Sequence, residues 1–454
     1  VVKGLIKFNP QADLVLKPEL SKMRTNTFTS PNQVKYEDMN RKTYAIRNTL
    51  TVFLFIFFVA ILAGGLFWAN LNYVQRVPIS LDFLPLWKSA NNLLMQGITP
   101  YGELTTYEIQ KIAYGRAAGP GQAPLRISVP LPLFILQLPI GAFSDIQLAR
   151  AIWMIVLQIG LAALVWFSIR IAQWPTRPFE FLFVLAFGIF TMPAWQALLT
   201  ADGLVLLAVF LFGAVLALKA SLDELAGMLM AFSFFQIETG GLLLLFLLFW
   251  VTIQSRWRVW AGLLMTLTLL FSTAFVIDPN WPFSFARAVY INWSAASLPS
   301  TFSLFQAWFP GLGDRIAWGL SFASLLLLMF ESQQAIGRNA LHWAWAACLA
   351  AAITPLAGLP VQPAGLVFLL PSFILVASVM SQRWVLIGRW VSFFILILFL
   401  SLSWLLFFFQ IQSAFIWLSL YTVAALYWIR WWVARSTRLW ADQISSERRG
   451  IVSF

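Results

Sequence analysis

The sequence predicts an all-α integral membrane protein, a polytopic bundle of about twelve transmembrane helices, and three observations carry that prediction. Hydrophobic residues fill 60% of the 454 positions and charged ones only 11%, a balance that no water-soluble fold of this size could hide from solvent. The apolar residues come in runs of about twenty, the length a helix rising about 1.5 Å per residue needs to cross roughly 30 Å of hydrocarbon. Lys and Arg gather at the two ends and at alternate turns between the runs, which orients the spans.

Residues 1–45 form a basic arm that carries Lys3, Lys7, Lys17, Lys22, Arg24, Lys35, Arg41 and Lys42, with Arg47 just beyond it. The first span follows at 46–70. A long polar arm in front of it argues against a cleaved signal peptide. Residues 71–149 form a first outer loop. Within it, the apolar stretch 128–143 is short and carries Pro130, Pro132 and Pro139, so it reads as interfacial helix rather than as a span. The stretch 222–254 poses the opposite problem, because Gln236, Glu238 and Thr239 fall at its middle. A single helix would strand Glu238 near the bilayer midplane at a cost of several kcal/mol, whereas two helices meeting at Glu238 place it at the outer surface.

That choice sets the remaining order. Spans are expected near 147–171, 178–199, 202–220, 222–237, 239–254, 258–278, 314–332, 340–357, 363–380, 388–410 and 413–434, with a second outer loop at 278–314 and a basic tail at 435–454. Arg170, Arg177, Lys219, Arg256, Arg258, Arg338, Arg383 and Arg389 then join the arm and the tail-end Arg430, Arg435, Arg438, Arg448 and Arg449 on one side, 22 of the 30 Lys and Arg in all. Both termini are expected in the cytoplasm, and the net charge of +12 faces anionic lipid rather than nucleic acid. Cys348, the single cysteine, reads as a packing residue, and His342, the single histidine, as a capping or interfacial group. No glycine-rich phosphate loop and no histidine cluster is present, which argues against nucleotide-driven chemistry and a histidine metal site.

Residues able to do chemistry collect on the outer side. Asp82 stands just past the first span within Leu81-Asp82-Phe83-Leu84-Pro85-Leu86-Trp87, where it reads either as a general base or as a helix-capping carboxylate after Ser80. The same loop continues through Ala90, Gly97 and Pro100-Tyr101 to Pro132-Leu133-Phe134 and a span opening Ala149-Arg150-Ala151-Ile152-Trp153.

Over residues 78–155 this order resembles the polyprenyl-phosphate-dependent glycosyltransferases of the GT-C superfamily, most closely glycosyltransferase family 87, which includes bacterial mannosyltransferases. The resemblance implies a GT-C-like bundle with helices lying along the membrane in the first outer loop. It makes Asp82 the base that deprotonates an acceptor hydroxyl. A lipid phosphate leaves, with inversion at the anomeric carbon. Such a site needs cations, and Arg126 and Lys88 are those of the loop, each alternatively an interfacial anchor. Trp87, Tyr101, Asn292, Arg287, Asp202 and Glu238 complete the expected substrate-binding set. No cofactor is expected, although Asp82, Asp202 and Glu238 could together hold a divalent cation.

The chain departs from the family where Thr200-Ala201-Asp202-Gly203 replaces Gly-Gln, where Glu238-Thr239 replaces Lys-Pro, and where Arg126-Ile127-Ser128-Val129-Pro130 lacks tyrosines. The expected activity is transfer of a hexose such as mannose from a polyprenyl-phosphate donor to a hydroxyl of a glycan, glycolipid or protein outside the bacterial plasma membrane. The alternative is an inactive relative that serves as a structural or assembly subunit of a membrane complex, with partner subunits.

Overall fold

The computed structural model describes Phe53 and residues 57–434, except 235–236, 296–298, 385–386 and 410–412; at 237–238, 293–295 and 414 it describes the backbone alone. The basic arm and the tail, expected on sequence grounds to be cytoplasmic, lie outside the described residues. The chain divides into two compact units, Val1–Leu66 and Phe67–Phe454. Of the first, the described part is the opening of helix α1 (Phe57–Arg76), where Phe57, Phe58, Ile61 and Leu62 are exposed.

Every regular element among the described residues of the second unit is a helix. After α1 come α2 (Phe83–Gln96), α3 (Glu103–Tyr114) and the short α4 (Leu131–Phe134), which runs into a 3-10 segment, Ile135–Ala142. Helix α5 (Ile146–Ile171) is the first long one after the outer loop; α6 (Pro178–Phe190) and α7 (Met192–Thr200) follow, bent by 57° at their junction. Then come α8 (Leu204–Lys219), α9 (Asp223–Ser233), α10 (Ile237–Ile253), α11 (Trp257–Ile277), α12 (Trp281–Ala295), α13 (Thr301–Trp308) and α14 (Gly313–Ala335). The series closes with α15 (Ala340–Ile353), 3-10 turns at Thr354–Ala357 and Pro363–Leu369, α16 (Leu370–Arg383), α17 (Gly388–Phe408) and α18 (Ala414–Ala434).

A helix overlaps each of the twelve expected stretches, but length and apolarity single out fewer as spans. Seven helical segments among the described residues meet both criteria, or eight if the bent pair α6–α7 counts as one. Helices α8 and α10 are apolar but shorter, and α9 has 11 residues. The stretch 222–254 is two helices, broken just before Glu238 as expected. The 128–143 stretch is also broken, into α4 and the 3-10 segment. The 12 apolar residues Leu131–Ala142 would reach about 20 Å as helix, short of a bilayer.

Burial separates the helices into a centre and a periphery. Helices α15 and α16 are enclosed almost throughout, and on α15 Ala344, Ala346, Ala347, Ala350, Ala351 and Ala352 are all buried. Small side chains let neighbouring helices approach, and the indole Nε1 of Trp345 reaches the Leu426 carbonyl of α18 at 2.8 Å. By contrast α11 presents Val276, 85% exposed, and Met265, 71% exposed, to its surroundings. Apolar exposure on that scale fits lipid and not water. Helices α9 and α11 touch backbone to backbone: a methyl on Gly227 would lie 2.0 Å from the Val259 carbonyl oxygen, and one on Gly262 2.4 Å from that of Glu224.

Two polar residues gain specific partners in the fold. Arg430, grouped with the basic tail in the sequence, lies on α18 and is ion-paired. Its Nη2 donates to Glu331 Oε2 at 3.1 Å, and Nε lies 2.9 Å from Oε1 of the same buried carboxylate, without hydrogen-bond alignment. Tyr427 donates to Glu331 as well, at 3.0 Å, so a polar cluster around one buried carboxylate joins α14 to α18. His342 does not cap α15: Asn339 Oδ1 accepts from the His342 amide at 2.7 Å, and the imidazole is fully buried, stacked 5.5 Å from the Trp345 ring.

Candidate functional site

The start of α2 is fixed by Ser80, not by Asp82. Ser80 Oγ accepts from the Phe83 amide at 3.4 Å and donates to the Thr200 carbonyl at 2.7 Å, tying the loop to the end of α7. Asp82 occupies the position before the helix with a helical backbone, and its side chain makes no capping bond. The capping reading of Asp82 is therefore set aside. No hydrogen bond or ion pair among the described residues engages its carboxylate.

Facing it is the turn between α7 and α8. Ala201 adopts a left-handed conformation, φ 58° and ψ 42°, which costs a residue with a Cβ roughly 1–2 kcal/mol. Compensation comes from the Ala201 amide, bonded back to Ala197 and Leu198, and from its carbonyl, which accepts from Trp153 Nε1 at 3.1 Å. The reversal turns out Asp202, whose Oδ1 accepts from the Leu204 amide at 3.0 Å and so covers a free N–H at the start of α8. Gln137 of the 3-10 segment lies beside this turn, its Nε2 3.3 Å from where a methyl on Gly203 would sit, and its buried Oε1 has no partner.

Arg150, in the first turns of α5, holds both segments. Its guanidinium is buried; Nη1 donates to the Pro78 carbonyl at 3.1 Å and Nη2 to the Leu199 carbonyl, while the group lies 5.8 Å from the Tyr73 ring centre. One cation thus joins the chain ahead of Asp82 to the chain ahead of Asp202. A pair of amides docks the same helix on α1: Asn70 Nδ2 donates to Gln158 at 3.2 Å and Gln158 Nε2 to Asn70 at 3.1 Å.

The two carboxylates feel this setting differently. Partial enclosure raises the Asp82 pKa, and the access of water to its exposed side chain moderates the effect. Burial pushes Asp202 up to about 7, against the opposing Leu204 hydrogen bond and with help from the charge of Asp82. A pair of acids held apart in affinity for one proton is an arrangement suited to proton transfer near neutral pH.

The other expected site residues fall elsewhere, in the loop between α1 and α5 and on α12. Lys88 pairs with Glu108 at 3.1 Å, and Glu108, also bonded to Asn92 Nδ2 at 2.8 Å, is held below the usual carboxylate range chiefly by that amide. Arg126 pairs with Glu103 at 2.5 Å, and Arg287 approaches the same carboxylate at 3.5 Å. Glu103 is depressed mainly by the Arg126 hydrogen bond. Asn292 Nδ2 donates to the Arg126 carbonyl at 2.6 Å, fastening α12 to the loop. Trp87 and Tyr101 are buried, donating to the carbonyls of Phe143 at 2.9 Å and Val129 at 2.7 Å. These rings pack the loop rather than line an open surface. The Glu238 side chain lies outside the described residues.

No group of three or more His, Cys, Asp or Glu side chains able to hold a metal occurs among the described residues. A hollow of about 10 Å³ lies between α10, α15 and the 3-10 turns, lined by Thr239, Thr354, Val361 and Phe368, and neither Asp82 nor Arg126 borders it. Arg150, Gln137 and Ser80 are the contributors that sequence reasoning missed; the one available signal was an arginine inside the otherwise apolar opening of a span. Comparison of the chain with family models, with curated proteins and with solved structures finds no match.

Proposed function

We propose that the chain is an inverting membrane glycosyltransferase that moves a hexose, mannose for example, from a polyprenyl-phosphate carrier to a hydroxyl acceptor. One observation carries the reading: Asp82, free of cap and counter-ion, lies on a loop that Ser80 ties to the α7–α8 turn holding a second carboxylate, Asp202. An acceptor hydroxyl attacking the anomeric carbon passes its proton to Asp82, whose raised affinity makes it a stronger base than an ordinary carboxylate. The C–O bond to the lipid phosphate breaks and the phosphate leaves with the electron pair. Asp202, protonated at that moment, keeps a second negative charge from the pair and offers a donor to a sugar or phosphate oxygen.

The proposal includes a GT-C-like bundle of about twelve spans, in which α8, α9, α10 and α18 also cross, with both termini in the cytoplasm of a bacterial cell and the two acids outside. Its test is transfer from a synthetic polyprenyl-phosphate hexose to extracted lipids and glycans, wild type beside Asp82→Asn. The proposal requires transfer by wild type and its loss in a normally expressed variant.

A second reading is a non-catalytic subunit of a membrane complex. It is favoured by the ion pairing of Lys88 and Arg126, which occupies the cations a donor phosphate would need, and by Glu238 in place of a lysine. Absence of transfer from both proteins, with a larger complex that assembles normally, would select it.

A further inference from the structure

At the far end of α8 from Asp202, about 24 Å along the helix axis, a cavity of about 320 Å³ opens between α8, α10, α14 and α15. It is lined by Leu218, Lys219, Trp250, Gln254, Ala335, Gly337, Arg338, Ala340 and Trp343, and its size lies within the roughly 300–1,000 Å³ of small-molecule sites. No carboxylate lines it. Lys219, Arg338, Gln254 and the Trp343 indole all bring N–H groups, three of them on side chains that cannot accept.

Two features mark these donors as a built site. Lys219 is positioned rather than floppy: its ammonium donates to the Arg170 and Ile171 carbonyls at the end of α5, at 3.2 and 2.8 Å, leaving one hydrogen. Trp343 is 5% exposed, and its Nε1 has no hydrogen-bond partner. A buried donor left without an acceptor is unfavourable, and an anion entering the cavity would supply one. Arg338 is exposed and its guanidinium makes no hydrogen bond or ion pair among the described residues. The neighbouring acid, Asp223, is already paired with Arg256, which lies 5.5 Å over the Trp250 ring. Trp250 and Trp343, 5.0 Å apart and tilted by 45°, give the cavity an apolar wall suited to the stem of a headgroup.

We infer that this cavity binds a phosphoryl anion, carried by an anionic lipid headgroup or free in solution. Arg338 supplies the planar fork, Lys219 a fixed charge and Trp343 a neutral donor from the wall. The site is independent of the transfer chemistry proposed at the other end of α8.

Binding is read as thermal stabilisation and tryptophan quenching of the full chain in detergent, titrated with short-chain phosphatidylglycerol, phosphatidylcholine of the same chain length, and inorganic phosphate. Saturable binding of phosphatidylglycerol is expected, weakened roughly tenfold or more in Arg338→Gln and likewise in Trp343→Phe, and unchanged in Arg258→Gln, an exposed arginine two residues beyond Arg256. Matching occupancy by inorganic phosphate identifies the free anion as ligand, and its failure identifies the headgroup. Equal binding of phosphatidylcholine, no saturable binding of any probe, or wild-type affinity in Arg338→Gln overturns the inference.

Discussion

Replacing Asp202 by Asn tests the electrostatics of the paired acids directly. Asparagine keeps an Oδ1 that can accept from the Leu204 amide, so the turn is preserved while the titrating charge is removed. The folded pKa of Asp202 lies above its unfolded value, so the ionised group opposes folding, and that penalty is absent below the unfolded pKa and complete above the folded one. A rise from 3.8 to about 7 sets a ceiling of about 4 kcal/mol, at about 1.4 kcal/mol per pH unit. The side chain is half-buried and partly reached by water, so roughly 2 kcal/mol is the expected size. Thermal unfolding of the purified protein between about pH 4 and pH 9 should show near-equal stability at the acid end. The variant should then gain by a few degrees as pH rises to about 7, with no further change above. In an Asp82→Asn background the gain should be smaller and level off at lower pH, because the charge that helps raise Asp202 is gone. A stability difference that does not vary with pH, or one unaffected by Asp82, would refute the coupling.

Arg150→Met removes two charge-assisted bonds to buried carbonyls, and a loss of about 2–4 kcal/mol is expected, visible as reduced folded yield and lower Tm. Gly141→Ala would drive a methyl to 2.3 Å from the Ala90 carbonyl carbon, separating the 3-10 segment from α2; destabilisation of about 3 kcal/mol should appear in thermal unfolding. Glu331→Ala leaves the half-buried Arg430 with Gln334 as its remaining partner, for an expected loss of about 2 kcal/mol, while the paired change Glu331→Met with Arg430→Met should recover most of it in the same measurement. Lys88→Ala breaks a pair open to water at Glu108 and should alter stability by less than about 1 kcal/mol, so a large loss of transfer in that variant would mark Lys88 as part of the donor site.

The positions of the helices were legible because hydrophobic run length is a strong signal, and even the break before Glu238 could be read from the polar residues placed there. Span number was less so: α9 and α10 read as crossings from composition, yet α9 has only 11 residues and α10 is shorter than the seven long apolar helices, limits that hydrophobic run length does not display. At the candidate site, Asp82 was visible as a charge in an apolar setting. Asp202 was grouped with it as an acid able to share a cation, but the feature that brings the two near each other, the way Ser80 ties the start of α2 to the turn after α7, is not displayed by the 120 positions that separate them. Lys88, Arg126, Trp87 and Tyr101 looked available in sequence. Their partners, Glu108, Glu103, and the carbonyls of Phe143 and Val129, lie in the same loop between α1 and α5, where pairing is decided by the path of the loop and not by residue type.

The guanidinium of Arg150 makes the spacing of the two acids a property of α5. Because the strands of chain leading to Asp82 and Asp202 hang from a common anchor, a displacement of that helix carries both in step and leaves the gap between them intact. Distortion of the loop between α1 and α5 alone acts on a single arm of the pair, so substitutions there should disturb the electrostatic coupling of the two acids more than equally disruptive ones within the helix.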